Sequence, residues 1–228
     1  MRATQTALPP APDDTAVFPE VLTTERLRLE RCCRENVPVK ELYRAASDRN
    51  PHIGDVTNHL SWTPHESMQA SRETLAHFER AWEDGDVATY AIRPKDSEPT
   101  PDALEGSLVD TDRGVLVGTC GLTCHWDRDC ATLGVWLRRE YWGRGYAGER
   151  ADALLALAFD DLDVGAVAVS HDADNENSRR AVARYVDRHG GRREGLLRNV
   201  AADPEGDGGR NQVRYSISRA EWRAAGQK

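Results

Sequence analysis

The run Trp142-Gly143-Arg144-Gly145-Tyr146-Ala147-Gly148 has the composition of an anion site. Glycines let a ligand approach the backbone, and the exposed N–H groups at a helix start accept a phosphate or pyrophosphate. Gly143, Gly145 and Gly148 match G-x-G-x-x-G, and Asp172 lies 24 residues beyond Gly148, near where an acid would meet ribose in a dinucleotide fold. Two features weigh against a dinucleotide fold. Arg138–Trp142 separate the preceding strand from the first glycine, and only one clear helix and two short strands follow, too few for a doubly wound domain. A tight turn without ligand is the plain alternative.

Other residue groups invite chemistry less strongly. Cys120, Cys124, His125 and Cys130 are spaced C-x3-C-H-x4-C, without the paired C-x2-C knuckles of a strong zinc site. On a strand Cys120 and Cys124 share a face, the pattern of small buried hydrophobes. Cys32 and Cys33 cannot both face the core from one strand. Trp62, Trp126, Trp136 and Trp142 are candidates for a cleft wall, with core packing as the default and Trp142 set apart by its place beside the glycines.

The elements that must position these groups follow from periodicity. Residues 21–32 alternate Leu22, Leu27 and Leu29 with charged neighbours and predict one opening strand. A short helix over Pro38–Ser47 follows. Thr63-Pro64-His65-Glu66 reads as a capping box ahead of a helix with Met68, Leu75, Phe78 and Trp82 on one face, ending at Glu83–Asp86. Val87–Arg93 reads as a strand, and residues 94–112, rich in Pro and acids, as an exposed inserted loop. Gly114–Cys124 and Ala131–Leu137 form a predicted hairpin. After the glycine turn come an apolar helix over 151–162, a strand over Val164–Ser170 with the pattern of burial on both faces, and a helix from Asn175–Ser178 to His189–Gly191. Two short strands follow, around Arg193–Val200 and Gln212–Ser218. This order predicts one α/β domain: a mixed, mostly antiparallel twisted sheet of about seven strands with helices on both faces. The domain spans 21–222, between a flexible lead-in (1–20) and a short tail (223–228).

Composition bounds the function classes. The 228 residues carry a formal net charge of −8, and only three of the 30 basic residues are lysine (Lys40, Lys95, Lys228). An acidic, Arg-rich, Lys-poor surface fits a high-salt cytoplasm or a GC-rich genome. It offers no basic stripe to a phosphate backbone, so no nucleic acid partner is expected. No run approaches 18 apolar residues, so no membrane span is expected. Five cysteines in a chain too long to need a disulfide scaffold, and an N-terminus without an apolar core, point to the cytoplasm.

The segment ATLGVWLRREYWGRGYAGERADALLAL resembles the acetyl-CoA-binding core of the GNAT N-acetyltransferases. The family pattern R/Q-x-x-G-x-G/A falls on Trp142-x-x-Gly145-x-Ala147, with Trp in place of the usual Arg or Gln and Arg144 as a neighbouring cation. LTTERLRLE (22–30), Asn175-x-x-Ser178, and Glu194–Asn199 with Tyr215–Ile217 resemble the RimJ/RimL branch. The resemblance covers about 21–222, apart from the 94–112 insertion and a helix about one turn longer between Ser178 and Gly190.

That resemblance implies a ternary complex in which a primary amine, of a protein N-terminus or a small molecule, attacks the thioester of acetyl-CoA. Backbone around Val135, Trp136 and Leu137 would hold the pantetheine, and Trp142, Gly143, Arg144, Gly145, Tyr146, Ala147 and Gly148 the pyrophosphate. Asn175 and Ser178 would lie near the sulfur, Ser178 as the acid for the thiolate or, alternatively, as a helix cap. No base is implied. Relatives often carry Glu where this chain has Thr132, and the remaining candidates, His125, Asp127 and Asp129, read equally as solvated turn residues; a water chain to bulk would also serve. A non-catalytic acyl-CoA-binding module is the alternative. No metal is implied, and the chain is expected to be a monomer or homodimer.

Overall fold

The computed structural model describes residues 16–99, 113–203, 206 and 208–227. Most of the expected lead-in (1–15) and most of the acidic insertion (100–112) lie outside the described residues.

The alternation over 21–32 predicts a single strand, but the chain folds it into two, β1 (Val21–Thr23) and β2 (Leu27–Arg31), paired antiparallel. Thr24 makes the turn, its Oγ1 accepting the Leu27 N–H at 2.9 Å. A side chain that bonds its own backbone competes with the ladder, and here it wins. β2 ends at Arg31, which lets Cys32 and Cys33 both be buried beyond it.

Helix α1 (Val39–Ala46) follows Pro38 as its pattern predicts, while the short α2 (Ile53–Thr57) has too few residues to show a period. Helix α3 (Met68–Glu83) begins later than the predicted box. Ser67 is the N-cap and accepts the Ala70 N–H at 3.2 Å. The Thr63–Glu66 box does not form, because tertiary partners claim its groups. The His65 N–H donates to Ala46 O at 2.8 Å, and the His65 ring bonds Ser71 Oγ at 2.8 Å. Leu75 and Trp82 are buried as expected, whereas Met68 is exposed.

Strands β3 (Val87–Pro94), β4 (Gly118–His125) and β5 (Cys130–Leu137) continue the meander, β4 and β5 as the predicted hairpin. Helix α4 (Tyr146–Ala156) starts directly on the glycine turn, five residues before the predicted 151, and loosens into a π turn at Leu157–Asp161. Then come β6 (Ala166–Asp172), α5 (Glu176–Arg188), β7 (Arg192–Ala202), β8 (Gly209–Ser218) and α6 (Arg219–Ala225). α6 opens on a complete Ser218–Glu221 capping box and crosses the boundary expected at 222.

The eight strands form one sheet in the order β1-β2-β3-β4-β5-β6-β8-β7, antiparallel throughout except for β5 and β6. Alternation along β3 serves two cores. Tyr90 and Ile92 join the cluster built with α4 and α5, which includes Leu154, Val182 and Val186. Ala91 faces the other way, onto Leu42 and Ala45 of α1 and Leu75 of α3. Helices therefore cover both faces, and among the described residues none is long and apolar enough to cross a membrane.

Candidate active site

The parallel pair β5–β6 opens a wedge in the sheet. Its pairing ends at Leu133–Val169, although β5 runs on to Leu137 and β6 to Asp172. The Arg138 N–H donates to Val117 O at 2.8 Å, which sets the alternation at the end of β5. Gly134 and Trp136 turn their backbone groups to β4, while Val135 and Leu137 turn theirs into the wedge. Leu137 O is met there by the Trp142 indole N–H at 2.8 Å.

Beside the wedge the chain makes the glycine turn. Gly143 (φ 77°) and Gly145 (φ 85°) both occupy the left-handed region, which a side chain resists. Gly145 is the N-cap of α4, so the N–H groups of Tyr146 and Ala147 sit at its first turn without intrahelical acceptors. The wedge, this turn and the start of α5 enclose one cleft of about 1450 Å³. Val135, Trp136, Leu137, Trp142, Gly143, Gly145, Tyr146, Ala147, Gly148, Asn175 and Ser178 all line it. Arg144 does not. Its guanidinium lies over the Tyr141 ring, 5.0 Å from the centroid, and donates to Pro99 O at 2.7 Å.

Around the turn, Arg26 pairs with Glu149 at 2.7 Å, and Tyr146 OH donates to Glu98 at 2.5 Å. Burial first, and then the Glu98 bond, push the Tyr146 hydroxyl up to about 12. Burial alone would raise the Glu149 carboxyl, but hydrogen bonds from Thr24 and from Arg26 outweigh it and hold the group below its ordinary value.

Helix α5 contributes groups that the glycine pattern does not reveal. Arg180, Arg184 and Arg188 follow one another at i, i+4 and i+8 and all line the cleft. Arg188 is paired with Asp152, but among the described residues Arg180 bonds only the neutral Asn177 amide and Arg184 makes no ion pair. The spacing was the available signal in an otherwise acidic chain. Tyr185 also lines the cleft, its buried hydroxyl without a close hydrogen-bond partner among the described residues and with Arg150 as its nearest cation. The buried Arg150 guanidinium lies 5.9 Å from its ring centroid. Burial raises the Tyr185 phenol, with Arg150 opposing.

Ser178 is not the cap of α5. Asn175 is, its Oδ1 accepting the Ser178 N–H at 3.0 Å, which leaves the Ser178 hydroxyl out of the capping bond. The hairpin residues are placed far from the cleft. His125, Asp127 and Asp129 sit at the start of β5, roughly 17 Å by strand rise from Val135. His125 bonds Thr132 Oγ1 at 3.2 Å, and Asp129 accepts the Gly165 N–H at 2.8 Å. Cys120 and Cys124 are buried in the α4-side core, where burial pushes both thiols up to about 12. Of the tryptophans, Trp136 and Trp142 line the cleft. Trp62 packs edge-on to Trp136 at 5.6 Å, and Trp126 lies elsewhere, donating to Gly85 O.

A second cavity of about 700 Å³ adjoins the first and shares Gly54, Asn58, His59 and Asp174 with it. His59 Nδ1 there stands 3.6 Å from both Asp172 Oδ2 and Asp174 Oδ1. Asp172 is buried and accepts from Arg210 at 2.6 Å and from Gln212 at 3.2 Å. No local pattern joins residues 59, 172 and 210. Their meeting depends on the fold.

A mixed sheet splays beside a glycine-capped helix start, and residues 26–185 match the acetyltransferase (GNAT) domain, so the chain belongs to that family. It is 24% identical over 181 residues to the "Uncharacterized N-acetyltransferase p20" of Bacillus licheniformis, covering 79% of this chain and 86% of that one. Among solved structures, it resembles the microcin C7 self-immunity acetyltransferase MccE in complex with acetyl-CoA and AMP. The TM-score is 0.69 at 16% identity, over 90% of this chain and 99% of that one. It also resembles RimL, the ribosomal L7/L12 α-N-protein acetyltransferase, with a TM-score of 0.67 at 14% identity over 87% and 94% of the two chains. At such identities these two structures speak for the fold.

Proposed function

We propose that this acetyltransferase takes its acetyl group from acetyl-CoA bound in the 1450 Å³ cleft and passes it directly to a primary amine. The observation that carries this reading is the wedge. β5 stops pairing where Val135 and Leu137 can bond an extended pantetheine chain, and the glycine-capped end of α4 lies alongside for the pyrophosphate. Arg180 and Arg184 are the cations free to meet the remaining phosphate charge. Ser178 lines the same cleft and is free of capping, which suits it to protonate the departing thiolate; Tyr185, which lines the cleft beside Arg150, is the second candidate. The acceptor is a protein N-terminus, as the RimL likeness suggests, or a small amine. The five free cysteines suit a reducing cytoplasm.

Free-thiol release from acetyl-CoA over a panel of amines and basic N-terminal peptides, at low and molar salt, tests this. Acceptor-dependent release is expected. Tight CoA binding without release across the panel would make the chain an acyl-CoA-binding module. Gly148→Leu tests the placement of the cofactor. A Cβ at Gly148 makes only an ordinary 3.7 Å contact with Arg188, so the helix should tolerate the change while CoA affinity falls at least tenfold by calorimetry. Unchanged affinity in the folded variant would move the cofactor elsewhere.

A further inference from the structure

The cleft described so far supplies donors for a thiolate and an anion, but none of the groups assigned above takes a proton from an ammonium. The segment 58–62 lies across the open end of the wedge and is anchored on both of its strands. Trp62 packs on Trp136 of β5, and His59 stands against Asp172 at the end of β6. Arg210 of β8 fastens the same segment by donating to Asn58 O at 3.2 Å and Leu60 O at 2.5 Å. His59 thus stands where the cofactor cleft meets the second cavity, which offers the acceptor a separate way in.

We propose that His59 is the general base of the reaction, receiving its amine through the second cavity. This rests on the acetyl-CoA reading above. The charged groups that line the second cavity with His59 are Asp172 on β6, Asp174 just after it, Asp203 just after β7, and Arg210 on β8, which holds the Asp172 carboxylate. With both carboxylates on its Nδ1 side, the ring keeps the Nδ1 proton and presents Nε2 as the basic atom, which accepts a long 3.4 Å hydrogen bond from the exposed Asn58 amide that the incoming amine displaces. Asp172 and Arg210 act through His59 as positioning residues. Nε2 takes one proton from the ammonium, and the freed lone pair forms the C–N bond at the thioester carbonyl. Collapse of the tetrahedral adduct breaks the C–S bond, and the second nitrogen proton passes to the sulfur, with Ser178 as relay. His59 then releases its proton to bulk, so one proton leaves per amide formed.

His59, Asp172 and Asp174 also have donor atoms close enough to hold a metal ion. The Arg210 guanidinium, 2.6 Å from Asp172 Oδ2, already occupies the most buried ligand and repels a second cation.

The test compares the wild type, His59→Gln and His59→Ala. Each is measured for acetyl-CoA affinity and for the pH dependence of acceptor-dependent thiol release. Both variants should bind acetyl-CoA within twofold of the wild type and release thiol ~10²–10⁴-fold more slowly. They should also lose the wild type's rise of rate with pH, and added imidazole should partly restore His59→Ala. Rates within threefold of the wild type with the rising limb intact would overturn the assignment. So would loss of wild-type activity on chelation with recovery on adding zinc, which would assign the three residues to a metal. A wild type that releases no thiol with any amine would instead show that the acetyl-transfer reading itself fails, and this inference with it.

Discussion

The chain buries two arginine–carboxylate clusters, one under α1 and one at the mouth of the wedge, and completes them differently. Under α1, Arg93 is buried with every arm engaged. It donates to Glu30 at 2.5 Å, to both oxygens of Glu41 at 2.7 and 2.8 Å, to Asn36 O at 3.0 Å and to Gly114 O at 2.7 Å. Burial alone would lower the Arg93 guanidinium, but the two carboxylates outweigh it and hold it above its ordinary value. At the mouth of the wedge, Arg210 closes off Asp172, yet His59 stays partly exposed at 3.6 Å from its carboxylates. A network in which every donor is matched fixes backbone and has no capacity left for a ligand. A cluster that ends in a loosely held imidazole between two cavities has that capacity.

The largest effect separating the two clusters is expected from Arg93→Ala. It leaves the buried Glu41 carboxylate with only the Leu116 N–H, while Glu30 keeps Arg28 and Arg113 on one oxygen, and should cost about 3–5 kcal/mol in urea unfolding, with acetyl-CoA affinity of the remaining folded protein unchanged. A loss below 1 kcal/mol would show that the cluster is wetter than its geometry indicates.

Ser178→Ala asks whether a wedge residue can affect rate without affecting stability. Turnover should fall by about 10²-fold, roughly 2.7 kcal/mol of transition-state stabilisation, with the thermal midpoint within a degree of the wild type. Intact turnover would pass the role to Tyr185, to be tried as Tyr185→Phe.

Asn175→Ala is the converse. Removing the α5 cap should lower stability by ~1 kcal/mol with little change in turnover once folded. Chemical denaturation and a saturating-substrate rate on one preparation separate these two neighbours.

The smallest effect concerns His65, packed between Trp62 and Ser71. Burial lowers its pKa from the unfolded value of 6.5. Below that value the unfolded chain binds more protons than the folded one, so His65 contributes a stability that is complete above about pH 6.5 and is lost as pH falls toward the folded pKa. His65→Gln should flatten the fall in stability between pH 7 and 5. An unchanged slope would mean that the ring is solvated.

Local pattern carried far in this chain. The helical face around Leu75, the two-sided burial of β6 and the glycine turn all depend on neighbours within a few residues, and that is the range over which propensity and periodicity act. The same range explains the misplaced pieces. Thr63 and Glu66 spell a cap, but Ala46 and Ser71, distant or facing, claim the His65 groups between them. His125, Asp127 and Asp129 lie near the wedge strand in sequence, yet the direction of β5 carries them to its far end.

Sequence alone determined the mixed α/β plan, the place of the glycine turn and the family those residues resemble. Tertiary structure decided where chemistry can occur. The β5–β6 register stops after Leu133–Val169, and that termination, set by long-range packing, opens the wedge. It also brings His59, Asp172 and Arg210 together across more than a hundred residues of chain. Such contacts leave no periodic trace, because the residues share no element and each is chosen to fit a neighbour that only the folded sheet supplies.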